Sequence, residues 1–181
     1  MALRRLRDSV AVAVAADTLR THVDYTAWAT ARLLAAATRI PPADLGRDFG
    51  TADKSVLGTL IHVFSADRVW LARIQGGPGE AFERPVGYDL ARLAAEWPPL
   101  LARWGDWAAA LTGESATARL DYTSMDGNKW NSPIWQIVLH VVNHGTHHRG
   151  QIAGFLRAMG HPPPALDLVA FYREIDPSQR R

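Results

Sequence analysis

The sequence contains no cysteine. That excludes a disulfide framework, a thiolate metal site and a protein thiol nucleophile together. Any metal must be held by nitrogen and oxygen, and any thiol chemistry must take its sulfur from a small molecule. Lysine is nearly missing: Lys54 and Lys129 are the only two, so 18 of the 20 basic residues are arginine. Charge of one sign is lacking as well, because 20 basic residues face 18 acidic ones for a net +2. The arginines are scattered among acidic residues except for Arg4, Arg5 and Arg7 at one end and Arg180 and Arg181 at the other. Such short clusters are solvated tails rather than a nucleic-acid footprint, so no nucleic-acid partner is expected. No apolar run reaches the roughly 18 residues that a membrane-spanning helix needs, so no membrane partner is expected either.

What remains is an ordinary globular composition, with 48% hydrophobic and 21% charged residues over 181 positions, enough for one domain with a sizeable core. The expected division is an N-terminal extension over residues 1–16, a helical bundle over 17–175 and a tail over 176–181. The basic residues 4–7 followed by the apolar run 10–16 superficially resemble a signal peptide. That run is short and alanine-rich, and the helical pattern continues through Asp17, so it is expected to be a frayed lead-in to the first helix of a cytoplasmic protein.

Four long segments carry helical periodicity, separated by proline, glycine and Asp/Asn punctuation. The first covers residues 17–39 and stops before Pro41-Pro42. The second covers 54–75 and is ended by Gly76-Gly77-Pro78-Gly79. The third begins at Asp89 as N-cap and reaches about 111, with Pro98-Pro99 expected to kink or restart it. The fourth is expected to start with Ser132 as N-cap and Pro133 in the first helical position, ending at Gly160. Between the third and fourth, alternating residues on either side of Asp126-Gly127 predict a short β-hairpin packed on the bundle. Of the seven tryptophans, six fall on the helices, mostly as large core and interface fillers.

Seven histidines are present, and four of them, His140, His144, His147 and His148, fall within nine residues of the last long helix. Residues four apart on a helix are offset by about 40° and sit one turn above each other, close enough to share a metal. His140 with His144 and His144 with His148 satisfy that spacing, and His144 with His147 is a further option, so His144 takes part in every combination. One straight helix reaches a metal from one side only, so a facing helix should supply another ligand. His62 stands within the apolar stretch Val56-Leu-Gly-Thr-Leu-Ile-His-Val-Phe, where an unpaired ring would be costly to bury. His22, beside Asp24, could also reach inward, whereas His161 lies in a Gly/Pro loop. A lone histidine on an apolar helix face is more often a hydrogen-bonded core residue than a ligand. Overlapping pairs with a facing partner favour a metal, and imidazole suits Zn, Ni, Cu or Fe.

The run Asn143-His-Gly-Thr-His-His-Arg-Gly-Gln-Ile152, with His62 followed by Trp70 on the second helix, resembles the DinB/YfiT-like metalloenzyme family. The closing segment Leu166-Asp-Leu-Val-Ala-Phe-Tyr-Arg-Glu174 is similar to that family's, and the resemblance spans about residues 18–174. It implies an all-α four-helix bundle with a long crossover, usually a homodimer, with a divalent Zn, Ni or Fe ion on His62, His144 and His148. His147 would then be a variable position and His140 a neighbour of the site or a core residue.

Three neutral imidazoles leave coordination positions open and the metal's charge uncompensated, as in a catalytic site. The expected function is therefore hydrolysis, or transfer using a low-molecular-weight thiol as resembling families do, on an unknown small-molecule substrate. The competing expectation is a non-enzymatic stress-response bundle with a structural metal. Asn143, His140, His147 and Gln151 are expected around the ligands. Asp67 lies five residues beyond His62, about 140° around the helix, and is expected in a surface or interhelix ion pair. Arg149 is expected on a carboxylate, a helix end or a surface ion pair. Gly145, Gly150 and Gly154 suggest close packing against a neighbouring helix.

Overall fold

Several helices in this chain are bounded by glycine, proline or a capping side chain. The computed structural model describes residues 14–77 and 86–180, so most of the expected N-terminal lead-in lies outside the described residues. α1 spans Ala16–Ala37, a single turn α2 spans Pro42–Leu45, and α3 spans Val56–Ile74. The Ser55 Oγ caps α3 by accepting from the Gly58 amide at 3.0 Å. α4 spans Leu90–Ala109, and the Asp89 carboxylate accepts from the Arg92 amide at 2.8 Å, as expected of that N-cap. α5 covers Gly113–Thr117, β1 Arg119–Thr123 and β2 Lys129–Pro133, and α6, the longest helix described, covers Ile134–Ala158. Gly160, at φ 81°, takes the left-handed conformation that ends α6. α7 spans Leu168–Ile175 and is followed by one 3₁₀ turn, Pro177–Gln179. No described helix is long and apolar enough to cross a membrane.

Two expectations are corrected. Pro98-Pro99 neither ends nor restarts α4, which stays continuous through both. Both prolines are exposed, as are Ala94 and Ala95, whose carbonyls lose their helical partners on the solvent side, where the cost is lowest. Ser132 is not an N-cap, because β2 continues through Pro133 directly into α6. No side chain caps this end; instead the Ile134 amide donates to the Ala118 carbonyl at 2.9 Å, so the hairpin base takes over that role. The hairpin itself is present, with Gly127 at φ 81° in its turn and Tyr122 paired opposite Trp130.

The four long helices form a closed ring in which α1 packs on α4 and α6, and α3 packs on the same two. Directions follow from side chains. Arg20, near the start of α1, donates to the Ala108 and Leu111 carbonyls at the end of α4, so these helices are antiparallel. The ring pairs His62–His148 and Trp70–His140 make α3 and α6 antiparallel. Phe64–Trp97 and Gln75–Arg103 make α3 and α4 parallel. α3 and α4, consecutive in sequence, thus run parallel, the arrangement expected of a bundle with a long crossover. Leu93, Trp97, Leu100, Leu101, Trp104 and Ala108 supply the inward stripe of α4, and Leu19, Leu33, Leu60, Leu71, Val138, Ile152 and Leu156 fill the centre.

Polar groups also lie inside. Asp67 is 2% exposed, not at the surface; its Oδ2 accepts from Trp97 Nε1 at 2.9 Å and its carbonyl from Trp104 Nε1 at 3.0 Å. The roughly 140° offset from His62 thus turns Asp67 toward α4 and ties α3 to two of its tryptophans. Arg149 is likewise buried rather than in a surface ion pair. It donates to Thr146 Oγ1 at 3.0 Å, lies 5.2 Å from the Tyr25 ring centre and contributes positive charge near Asp67. Burial nevertheless holds the Asp67 carboxyl up at about 7, against the pull of Trp97 and Arg149. The glycines of α6 differ from expectation. A Cβ on Gly145 would meet Arg149 Nη1 at 2.8 Å, so its close neighbour is on its own helix, and Gly150 and Gly154 have open space around them.

Gly150→Ala should therefore raise stability by about 0.5–1 kcal/mol through helix propensity. Gly145→Ala should gain less than that, because its Cβ requires the end of the Arg149 side chain to shift. Urea titration of both variants checks the contrast. A carboxyl whose folded pKa exceeds its unfolded 3.8 contributes its stability below that value and loses it as pH rises through about 7. Asp67→Asn should accordingly gain stability relative to the parent chain between about pH 5 and about pH 8. An equal or opposite difference at the two pH values would show that Arg149 keeps the carboxylate charged.

Candidate metal centre

His62 sits on the edge of α3 that faces α6, and His144 and His148 stand one turn apart on α6 facing it. The His144 and His148 ring centres are 4.5 Å apart, and the His62 ring lies 4.9 Å from the first and 4.5 Å from the second. His62 Nε2 and His144 Nε2 approach to 2.9 Å. One potential ligand atom from each of the three rings falls within 4.8 Å of the others, the one such group found among the described residues. The His62 and His148 side chains remain 18% and 12% exposed, so solvent reaches the cluster.

The chemistry of these nitrogens suits a metal. A neutral imidazole offers one N–H and one lone pair. His148 Nδ1 lies 2.7 Å from Gln151 Oε1, an acceptor, which puts the hydrogen on Nδ1 and the lone pair on Nε2. Burial, and then the neighbouring His148 and His62 rings, push the His144 pKa down to about 3. The site thus disfavours protons while presenting imidazole lone pairs, the form in which histidine ligates a divalent transition metal.

The other candidates separate clearly. Gln151 contacts a ring of the trio. His140 is partly exposed, 5.9 Å from His144 and 5.5 Å from Trp70 between ring centres, and the burial of the rest of its ring lowers its pKa. His147 is exposed, 4.9 Å ring to ring from His148, and points no atom into the trio. Asn143 is not brought to the cluster; with His22, Tyr25 and Arg149 it lines a groove of about 560 Å³ elsewhere on α6. His22 contacts the Thr18 carbonyl and His161 contacts Asp44 instead. The hairpin closes one flank: Arg73 donates to the Thr123 carbonyl at 2.9 Å, and Trp70 packs edge-on against Tyr122 at 5.0 Å. Asp53, buried in the loop before α3, stands 3.9 Å from His62 Nδ1 and 3.8 Å from His148 Nδ1. Helical periodicity cannot find such a residue, because it lies on no helix.

A sequence model described as the DinB family matches residues 15–179. Among solved structures, a DinB-like protein from Bacillus cereus ATCC 10987 is similar, with a TM-score of 0.62 and 18% identity, over 78% of this chain and 91% of that one. That likeness is one of fold. No curated protein sequence matches the chain.

In metal-free protein, the His144 imidazole should stay neutral far below its ordinary 6.5, toward 3, when followed by ¹⁵N NMR. A histidine with a depressed folded pKa contributes stability above its unfolded value and loses it as pH falls. The metal-free bundle should therefore weaken below 6.5, and His144→Asn should flatten that dependence. Ordinary titration of His144 near 6.5 would contradict the burial of its lone pair.

Proposed function

Because the chain belongs to the DinB family, we propose that it is a metal-dependent enzyme acting on a small molecule, with zinc, nickel or iron held by His62, His144 and His148. The observation that carries this reading is the convergence of three imidazoles from two facing helices at a place solvent can reach, with His144 held neutral by burial.

A divalent ion there would supply Lewis acidity, making a water or small-molecule thiol more nucleophilic and a carbonyl more electrophilic. The chain's own residues do the rest. His62, His144 and His148 present neutral nitrogen and leave positions open for substrate, and Gln151 orients the His148 ring. His140, its ring centre 5.9 Å from that of His144 and open to solvent, is the further imidazole proposed to take a proton from the attacking group or return one to the leaving group. With no cysteine in the chain, a thiol nucleophile would arrive as a co-substrate; the reaction proposed is hydrolysis or thiol-dependent transfer.

Elemental analysis of purified protein should find about one divalent metal per chain. His62→Ala, His144→Ala and His148→Ala should each lose most of it. Chelation should leave the helical circular dichroism in place; loss of fold together with metal would favour a structural role. Full metal content in all three variants would refute the ligand assignment.

A further inference from the structure

Asp53 belongs to no helix, yet its side chain is only 5% exposed. Its two oxygens lie near two imidazoles at the distance of a charge contact rather than a hydrogen bond, with Oδ1 3.9 Å from His62 Nδ1 and Oδ2 3.8 Å from His148 Nδ1. Both contacts fall on the ring nitrogen opposite the one available to a metal: His62 Nε2 faces His144, and the His148 Nδ1 is already turned to Gln151. Burying a carboxylate is costly unless something compensates it.

The fold goes to some length to keep this one there. Gly58, inside the first turn of α3, lets the Asp53 carbonyl approach so closely that a Cβ would lie 2.1 Å from it. Lys54, the next residue, adopts φ 63°, the one non-glycine residue with positive φ among those described. That conformation is strained for a side chain with a Cβ and persists where the surroundings impose it. The Ser55 amide donates to the Asp53 carbonyl at 2.7 Å, and the Phe49 amide to the Lys54 carbonyl at 2.7 Å. The Phe49 ring stacks on Phe155 of α6, with centres 4.3 Å apart and planes 10° from parallel. The loop is thereby fastened to both helices that carry the histidines.

We propose that Asp53 is the positioning residue of the metal centre: the charge of its carboxylate favours, in the His62 and His148 rings, the tautomer with Nδ1–H outward and Nε2 inward. This rests on the three-histidine reading above. A carboxylate behind a ligating imidazole fixes the tautomer and raises the basicity of the ligating nitrogen. It also supplies the negative charge that a set of three neutral ligands lacks. Its influence is greater on His62, since His148 has Gln151 as a second orienting partner.

The test uses the full chain with Zn²⁺ and Co²⁺ against a chromophoric chelator, comparing Asp53→Asn, Asp53→Ala and His144→Ala with the parent. Both Asp53 variants should bind about 10- to 100-fold more weakly and change the visible Co²⁺ spectrum, with metal-free melting unchanged or raised. Binding within twofold of the parent and an unchanged spectrum in both, while His144→Ala loses the metal, would overturn the role of Asp53 alone. Parent-like binding by His144→Ala would instead overturn the three-histidine site, and Asp53's role with it. Should Asp53→Ala not fold, the isosteric Asp53→Asn and the Zn²⁺-loaded parent decide. An Nδ1–H resonance on His62 that shifts in Asp53→Asn supports the proposal, and its absence from the parent refutes it.

Discussion

His62 meets His144 and His148 only if α3 and α6 hold one register. A slip of a single residue moves a side chain about 1.5 Å along the helix and swings it about 100° around, which would take His62 out of reach of both. Much of the remaining architecture acts on that register. Asp67, about 140° around α3 from His62, receives indole N–H groups from Trp97 and Trp104 and so fixes the rotation of α3 against α4. Trp70 reaches His140 and Tyr122, and the hairpin base hands its chain to α6 through the Ala118 carbonyl. Phe49 on Phe155 holds the other end.

The interior imposes one electrostatic rule on unlike groups. Desolvation drives Asp67 up toward 7 and His144 down toward 3, in both cases toward the neutral form. A divalent cation is the opposite of what such a medium tolerates, and neutral ligands do nothing to offset it. That is why a buried carboxylate within 4 Å of two rings of the trio stands out from the other acidic residues. Arg149 and Asp67 follow the same logic in the middle of the bundle, where each moderates the cost of burying the other without a direct ion pair among the contacts described.

Much of this was legible in the residues. Period-3.6 patterning and capping signals located the four long helices and the Asp89 cap. Asp126-Gly127 located the hairpin. The four-residue spacing singled out His144, and family resemblance was needed to choose His148 over His140 and His147. What stayed hidden depends on tertiary partners. The angle of Asp67 away from His62 could be calculated, but not that two tryptophans waited there. Nothing local says that Pro98 and Pro99 face water, or that β2 runs past Ser132 into α6. Gly145 looks like Gly150 in sequence, and only the folded Arg149 side chain distinguishes them. Asp53 gave no periodic signal because its placement is made by a loop.

Two of the three clustered histidines share one helix, and this bears on how the chain can drift over evolutionary time. One residue inserted or deleted between His144 and His148 would rotate one of the pair by about 100° relative to the other, with no loop to absorb the change. Lineages should therefore vary the length of their hairpin turn, around residues 124–128, far more freely than that single turn of α6. Substitution there can be tried one side chain at a time, whereas a change of length discards the cluster in one step.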